Sequence, residues 1–330
     1  MRARAFLDWI EDDYLGRTRA GLEWIRFGQM VSAQTKVFIK PNLTYPTYKP
    51  GVMTSPAALE AAIIALKEYT PHIFIGDSDS GGYNRFSMDE VYRETGISDF
   101  AARHGVEVVN LSHLETKTIP VRCGSDGFEL SMPRLLIDEI DLLVTMPVPK
   151  IHMNTGVSLT FKNQWGCIPE PGDRLRLHPH FKYVILEVNK AVKARVAIMD
   201  GACGLNRSGP LRGRPVELGW IMVTDSIGAG ERLACELMQV PLHKVEHLRY
   251  ACEHGWIPSL DEIDVNADIH PFLKEPFYLR REWTDYPGLM AFRSPFVANI
   301  AYFSPLANLL HRLLYLFREP FYDYNRPTRR

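Results

Sequence analysis

The segment VTMPVPKIHMNTGVSLTFKNQWGCIP, residues 144–169, begins as a buried strand and continues as a strongly polar loop. Residues 141–144 form the apolar run that is typical of a parallel strand. Pro147 and Pro149 then end the strand, because proline has no N–H to donate to a ladder. Loops that leave sheet ends often carry binding and catalytic groups, so this one predicts a functional site rather than a solvated loop. Its polar residues are Lys150, His152, Asn154, Thr155, Ser158, Thr160, Lys162 and Asn163.

Strands and helices alternate along most of the chain. Strands are predicted at 36–40, 72–76, 106–109, within 135–146, at 195–199 and at 220–223. Helices are predicted at 8–30, 55–68, 87–104, 184–192 and 227–239. This alternation favours an α/β fold with parallel sheets flanked by helices and right-handed crossovers. We expect two lobes with a cleft between them, followed by a helical C-terminal extension.

Length and composition describe an ordinary globular protein. A chain of 330 residues exceeds the usual size of one core, so we predict an N-terminal helical segment at 1–33, an α/β domain at 34–258 and an extension at 259–330. The net charge of −1 argues against binding nucleic acid through clustered positive charge. The five cysteines contain no CxxC pair, so no iron–sulfur cluster is expected and a cytoplasmic location is favoured. The acidic N-terminus is unlike a signal peptide.

Polar residues follow several of the predicted strands directly. In open α/β sheets ligands bind at the carboxyl ends of strands, so polar residues at several such ends indicate one shared cleft. The residues expected to converge there are Lys40, Asn42, Asp79, Lys150, His152, Lys162 and Asp200.

The chemistry of these side chains leaves several roles open. His152 is a candidate general base or metal ligand, because the imidazole titrates near neutral pH, or it satisfies the loop. Lys150 and Lys162 lie close in sequence, and two partly desolvated cations would lower a lysine pKa toward catalytic use; simple anion binding is the alternative. Asp77 and Asp79 could take a proton or a metal, or cap the helix that starts near Ser87.

Two further pairs of residues are candidates for ligand contacts. His178 and His180 could bind a divalent metal (nickel, iron or zinc) together with His152, or they could be exposed loop residues. Arg207 and Arg212 lie in a glycine-rich loop at 201–213 and could clamp a carboxylate or phosphate, or the loop could be an ordinary surface loop.

Five motifs, in this order, resemble the family called domain of unknown function 362. They are KPNLT (40–44), GDSDSGG (76–82), PKIHMNTGVSLTFKNQWG (149–166), MDGACGLNRSGPLRG (199–213) and TDSIGAGERLACELM (224–238). The resemblance covers roughly residues 34–258. Many members of the family carry an added ferredoxin domain, which this chain lacks. The family name assigns no reaction.

A more distant resemblance connects the same loop to nickel-pincer lactate racemases. His152, Gly156, Ser158 and Lys162 form the pattern H-x3-G-x-S-x3-K, and His178 lies sixteen residues beyond the lysine. The resemblance implies acid/base chemistry for His152, cofactor binding for Lys162 and nickel binding for His178. The racemases have a second catalytic histidine after an earlier strand, where this chain has GDSDSGG.

The C-terminal stretch FVANIAYFSPLANLLHRLLYLF, residues 296–317, is strongly apolar. Pro305 divides it into short segments, and the side chains at 306, 309, 310, 313, 314 and 317 fall at helical spacing. It could pack on the core or a second copy, lie at a membrane surface, or span a membrane. Arg318, Arg326, Arg329 and Arg330 follow it.

Taken together, these patterns predict a cytoplasmic enzyme that applies acid/base or redox chemistry to a small anionic carboxylate or hydroxy acid. One alternative is a non-catalytic carrier of a metal or cofactor. Another is a scaffold attached to the membrane surface through residues 296–317. The same residues could instead form a homodimer interface.

Overall fold

The computed structural model describes residues 2–81, 86–123 and 126–317. Gly82 of the predicted turn and the four arginines after residue 317 lie outside these ranges. The strands are β1 (Ala3–Trp9), β2 (Val37–Pro41), β3 (Ile73–Asp77), β4 (Glu107–Asn110), β5 (Thr116–Cys123), β6 (Asp126–Pro133), β7 (Leu142–Met146), β8 (Lys150–His152), β9 (Gly156–Ser158), β10 (Ala194–Asn206), β11 (Arg214–Thr224) and β12 (Ile263–Val265).

Most of these strands form one sheet in the order β12-β1-β11-β10-β7-β2-β3-β4. The pairs β10–β7, β7–β2, β2–β3 and β3–β4 are parallel, while β11 pairs antiparallel with both β10 and β1. The predicted α/β class is therefore confirmed. The strands form one continuous sheet and a separate β5–β6 ribbon, and a cleft lies beside the sheet edge, under the C-terminal extension. The division into two lobes stays a prediction.

Helices cover both faces of the sheet. They are α1 (Tyr14–Trp24), α2 (Pro56–Lys67), α3 (Met88–Glu94), α4 (Ile97–Arg103), α5 (Thr160–Asn163), α6 (Pro171–Arg176), α7 (Phe181–Ala191), α8 (Ile227–Leu237), α9 (Glu246–Glu253), α10 (Tyr286–Arg293), α11 (Pro295–Ala298) and α12 (Ala307–Tyr315). Alternate side chains of β2 enter different cores: Val37 and Ile39 pack with α1 to α4, and Phe38 packs with α7 to α9. This alternation follows from the two-residue period of a strand.

Three predicted elements differ from the structure. Residues 3–9 form β1 between β11 and β12, so the predicted helix at 8–30 shortens to α1. Asp13 caps the start of α1, because its side chain accepts a hydrogen bond from Gly16 N. The predicted helix at 87–104 is broken at Gly96, which adopts a left-handed φ of 75°. Strand β10 runs on to Asn206, so the glycine-rich loop is much shorter than expected.

The C-terminal extension carries α10 to α12. In α12 the buried residues are Ala307 and His311, and the predicted apolar stripe faces outward. Of the alternatives left open by the sequence, the stripe does not pack on the protein's own core, because a small residue and a histidine occupy the inner positions. Among the described residues no helix has both the length and the hydropathy needed to cross a bilayer.

Candidate active site at the carboxyl edge of the sheet

The polar loop of the sequence folds into a short hairpin. Strands β8 and β9 pair antiparallel, with Lys150 opposite Ser158 and His152 opposite Gly156. Side chains two residues apart share one face of a strand, so Lys150 and His152 lie together, and both line the cleft. Ile151 lies on the other face and is 2% exposed in the core. The predicted polar loop is thus a hairpin that separates site residues from core residues.

A cavity of about 300 Å³ opens at the carboxyl ends of β2 and β3, beside the β8–β9 hairpin. Its lining includes many of the residues predicted from the sequence. These are Lys40, Asn42, Lys150, His152, Ser158, Lys162, Asn163, His178 and Arg212. The strand-end pattern therefore identifies side chains that share one cleft.

Lys40 and Asp77 form a buried ion pair between β2 and β3. Lys40 Nζ lies 2.7 Å from Asp77 Oδ2, and the two side chains are 1% and 6% exposed. Burial raises the pKa of Asp77, and the charge of Lys40 opposes that shift. Gly166 allows the chain to pass over the pair, because a Cβ there would lie 2.5 Å from Asp77 Oδ1. The pair closes one side of the cleft and leaves Asp77 already neutralised.

Lys150 is held by two oxygen acceptors. Its Nζ donates to Asn42 Oδ1 at 3.0 Å and to the carbonyl of Val52 at 2.7 Å. Burial, together with the charges of Lys162 and Lys40, lowers its pKa to about 7. Neutral acceptors do not offset the loss of hydration, so near pH 7 this amine exists in both protonation states.

Lys162 projects from α5 and is 9% exposed. Among the described residues its Nζ has no hydrogen-bond or ion-pair partner; the aromatic face of Phe181 lies 5.4 Å away. Burial, with a smaller contribution from Arg174, lowers its pKa to about 7. An amine that titrates near neutral pH beside a cavity is suited to proton transfer.

His152 is oriented by its own turn. The backbone N–H groups of Asn154 and Thr155 both donate to His152 Nδ1, at 3.1 and 3.3 Å. Burial, then the charges of Lys162 and His178, places the pKa of His152 well below its ordinary value. A neutral imidazole with an accepting Nδ1 carries its proton on Nε2. His152 therefore offers the cavity an N–H donor, whereas the sequence suggested a general base.

Arg174 and Trp165 also line the cavity, and sequence reasoning did not select them. Arg174 donates through Nη2 to the carbonyl of Asp79. Trp165 packs edge-on against His178, with ring centroids 5.2 Å apart. Both follow the polar loop in sequence, and an arginine on the short helix α6 gives no distinct pattern that would have identified it.

Asp79 and Asp200 lie outside the cavity lining, although both were predicted to share it. Asp79 Oδ1 accepts from Met88 N at 2.7 Å and from Asn110 Nδ2 at 2.8 Å, so it caps α3. Asp200 accepts from Ser55 N at 2.8 Å and from Tyr14 Oη at 3.0 Å. Both carboxylates stabilise local structure through these hydrogen bonds, so the prediction that they line the cavity is wrong.

Other predicted contacts are also placed away from the cavity. Asn154 and Thr155 contribute their backbone N–H groups to His152, and the guanidinium of Arg207 lies 5.9 Å from the ring of Tyr278. His180 is exposed and its Nδ1 lies 3.1 Å from Cys123 Sγ. Within the part of the chain that the structure describes, no group of three or more His, Cys, Asp or Glu side chains is arranged to hold a metal ion.

The C-terminal extension forms a wall of the cavity, which the sequence did not indicate. Arg281 Nε donates to the carbonyl of Met153 at 3.0 Å, and Ser208 Oγ donates to the carbonyl of Arg280 at 2.7 Å. These bonds fasten the extension to the hairpin and to the β10–β11 loop. The lining residues that it contributes are Asp285, Gly288, Phe292, Tyr302, His311 and Tyr315.

The fold and the cleft define an α/β protein with a lysine-rich cavity at the carboxyl edge of its sheet. Residues 37–236 match the family described as "Domain of unknown function (DUF362)", and the chain belongs to that family. This confirms the family resemblance found in the five motifs.

Individual proteins are more distantly similar. A thylakoid-associated protein of Synechocystis sp. is 23% identical over 225 residues, which cover 64% of this chain and 66% of that protein. The solved lactate racemase apoprotein from Thermoanaerobacterium thermosaccharolyticum is 15% identical with a TM-score of 0.46, covering 72% of this chain and 57% of that one. A Thermotoga maritima protein of solved structure is 15% identical with a TM-score of 0.41, covering 67% and 58%.

Proposed function

We propose that the protein is an enzyme that binds a small carboxylate or hydroxy acid in the cavity and transfers a proton at the carbon next to the carboxylate. The observation that carries this proposal is the pair of buried lysines, Lys150 and Lys162, whose pKa values both fall to about 7. Such groups can donate and accept protons at neutral pH, which is the requirement for general acid/base catalysis.

The charge balance of the cavity favours an anion. Its cationic side chains include Lys40, Lys150, Lys162 and Arg174. Its two lining carboxylates are already engaged: Asp77 pairs with Lys40, and Asp285 accepts from Glu282 N at 2.9 Å. A bound carboxylate would supply the negative charge that Lys150 lacks. It would also raise the pKa of whichever lysine it contacts.

The roles of the side chains follow from their protonation. Neutral Lys162 would accept the proton from carbon, because its amine is held by no other residue described here. The His152 Nε2–H would donate to the oxygen on which negative charge develops, as a fixed donor does in an oxyanion site. Lys150, anchored by Asn42 and Val52, would position the carboxylate.

Solvent exchange tests this function directly. We expect the protein to exchange the hydrogen on the carbon next to the carboxylate of at least one 2-hydroxy acid for deuterium from D₂O, observed by proton NMR. Lys162→Met and His152→Ala should each slow exchange by about a hundredfold or more, as loss of an acid/base group does. Lys117→Met is the matched control, because Lys117 is an exposed lysine paired with Asp138.

Two results would contradict the enzyme proposal. One is that no acid in the panel exchanges or binds. The other is that purified protein catalyses no exchange but holds nickel, iron or zinc that is lost on replacing His152 and His178. The second result would favour the carrier of a metal or cofactor.

A second candidate function, attachment to a membrane surface, is favoured by the outer face of α12. Leu306 and Leu309 are each 56% exposed and Leu313 is 49% exposed, although apolar side chains of this size usually lie inside. The described chain from Tyr286 to Phe317 contains Arg293 and Arg312 but no aspartate or glutamate. An apolar face with basic flanks suits an anionic lipid surface. The name of the Synechocystis relative is in keeping with this proposal.

Flotation with anionic liposomes tests the membrane contact. We expect the intact protein to float with the vesicles and Leu309→Ser/Leu313→Ser to remain in solution. Leu260→Ser is the control, since Leu260 is an exposed leucine outside the helices α10 to α12. Deleting residues 296–330 would be a poorer test, because Tyr302 and Tyr315 line the cavity. A protein that stays out of the lipid fraction but is a dimer in solution would contradict the proposal and assign the face to a second copy.

A further inference from the structure

The cavity has two chemically different walls. Strand ends and the hairpin supply the lysines, while the C-terminal extension supplies mainly aromatic side chains. A three-carbon acid could engage the lysines but would leave the aromatic wall uncovered. A volume of about 300 Å³ is in the range of sites for larger organic ligands.

The aromatic surface begins next to the lysines. The Lys162 amine lies over Phe181, whose ring is stacked against His178 with centroids 6.0 Å apart. His178 in turn lies 4.4 Å from Phe292 of α10 and contacts Trp165 edge-on. Burial and the charge of Lys162 lower the pKa of His178 to about 3, so its ring is neutral and acts as aromatic surface. A path of rings therefore leads from the cationic end to the extension.

The aromatic wall is a fixed part of the fold. A Cβ at Gly288 would lie 3.0 Å from Met153 Cε, so α10 packs directly on the hairpin turn. Arg281 and Ser208 add the two hydrogen bonds described above. Asn206 Nδ2 also donates to the carbonyl of Pro276 at 3.1 Å. These contacts hold Phe292 against His178 without a ligand.

From this arrangement we infer that the preferred ligand is an amphiphilic anion, a carboxylate that carries an acyl chain or an aryl group. Its carboxylate contacts Lys150 and Arg174 next to the Lys162 amine, and its apolar part covers His178, Trp165 and Phe292. The inference rests on the proposed anion site and specifies what else the ligand must contain. The apolar part gains affinity in proportion to the area that it removes from water.

A chain-length series measures this preference. Binding of 2-hydroxypropanoate, 2-hydroxyhexanoate and 2-hydroxyoctanoate is measured by calorimetry below their aggregation concentrations. We expect Kd to fall about three- to fourfold for each methylene that the wall buries. Phe292→Ala should lose most of this gain while binding 2-hydroxypropanoate within about twofold of the unaltered protein. Leu316→Ala, on the exposed outer side of the extension at 75% exposure, should keep the gain.

The outcomes separate this inference from the proposed function. If the three acids bind with equal Kd, the amphiphile inference is wrong and the anion site stands. If none of them binds, the anion site itself fails. If Phe292→Ala does not fold, Phe292→Leu is measured in its place. The affinity for an aryl-substituted 2-hydroxy acid is then compared with that for 2-hydroxyoctanoate. If this affinity ratio is the same in Phe292→Leu as in the unaltered protein, the aromatic wall is also overturned. Lys162→Met should weaken the binding of all three acids by a similar factor, because it removes the amine next to the carboxylate end that they share.

Discussion

Replacing Lys162 with methionine should weaken acid binding and slow proton exchange by about a hundredfold or more, while making the folded protein more stable near neutral pH. Methionine has a similar length and no charge, so it removes the amine and leaves the packing against Phe181. In the unaltered protein a cation is buried without a partner among the described residues, and its pKa falls from 10.5 to about 7. Removing that group should add on the order of 2–4 kcal/mol to the free energy of unfolding at pH 7.

The pH dependence of the free energy of unfolding gives an independent check on the sign of this effect. The unfolded chain keeps the Lys162 proton up to its ordinary pKa of 10.5, whereas the folded protein releases it near 7. Between these values the unfolded state binds more protons, so stability rises with pH. From pH 7.0 to 8.5 this one group should contribute about 1.5 kcal/mol of added stability. The methionine variant lacks that contribution.

Urea denaturation of both proteins at several pH values measures the effect. Lys150 and the buried cysteines are present in both proteins, so the difference between the two curves reports Lys162 together with its effect on the pKa of Lys150. The advantage of the methionine variant should shrink as pH rises from 7.0 to 8.5. A difference that stays constant with pH, or a variant that unfolds more easily, would show that the amine is solvated or paired and would remove the basis of its catalytic role.

Residues at strand ends were the part of the site that the sequence predicted well. Lys40, Asn42 and Lys150 follow strands of one parallel sheet, and the topology of such a sheet brings them to one edge. The sequence could not show which of Asp77 and Asp79 lines the cavity. The two differ in whether their side chains turn toward Lys40 or toward the start of α3, and that depends on packing by Gly166 and Asn110.

The role of the extension could not be derived from its pattern. Periodicity showed that α12 is amphipathic, and the usual rule places the apolar face inside. In the structure Ala307 and His311 face inward, because the extension meets the rim of a polar cavity rather than a sheet face. Phe292 lies more than a hundred residues from the hairpin in sequence, so no local signal links it to His178. The extension therefore has an inner wall that lines the cavity and an outer face that is exposed.

Breaking the Lys40–Asp77 pair should be the most destabilising single change in the cleft. Asp77→Leu leaves the Lys40 ammonium, 1% exposed, without a counter-charge, and Lys40→Met leaves the Asp77 carboxylate, 6% exposed, without one. Removing one partner of a buried ion pair costs about 3–5 kcal/mol, because the remaining charge is neither hydrated nor paired. Each variant should therefore lose that much unfolding free energy in urea denaturation at pH 7.

The double variant Lys40→Met/Asp77→Leu separates the ion pair from its packing. If the cost of each single variant comes from an isolated buried charge, removing both charges should recover most of it, since apolar residues of similar volume can replace a buried pair at little cost. Lys40 and Asp77 also lie against Gly166 in the 3-10 turn Gln164–Cys167, so the leucine side chain must fit a space that excludes even a Cβ at Gly166. Recovery to within about 1–2 kcal/mol of the unaltered protein would establish charge as the cause. A double variant as unstable as the sum of the two single variants would instead assign the effect to shape, and the pair would then contribute to the cleft through packing alone.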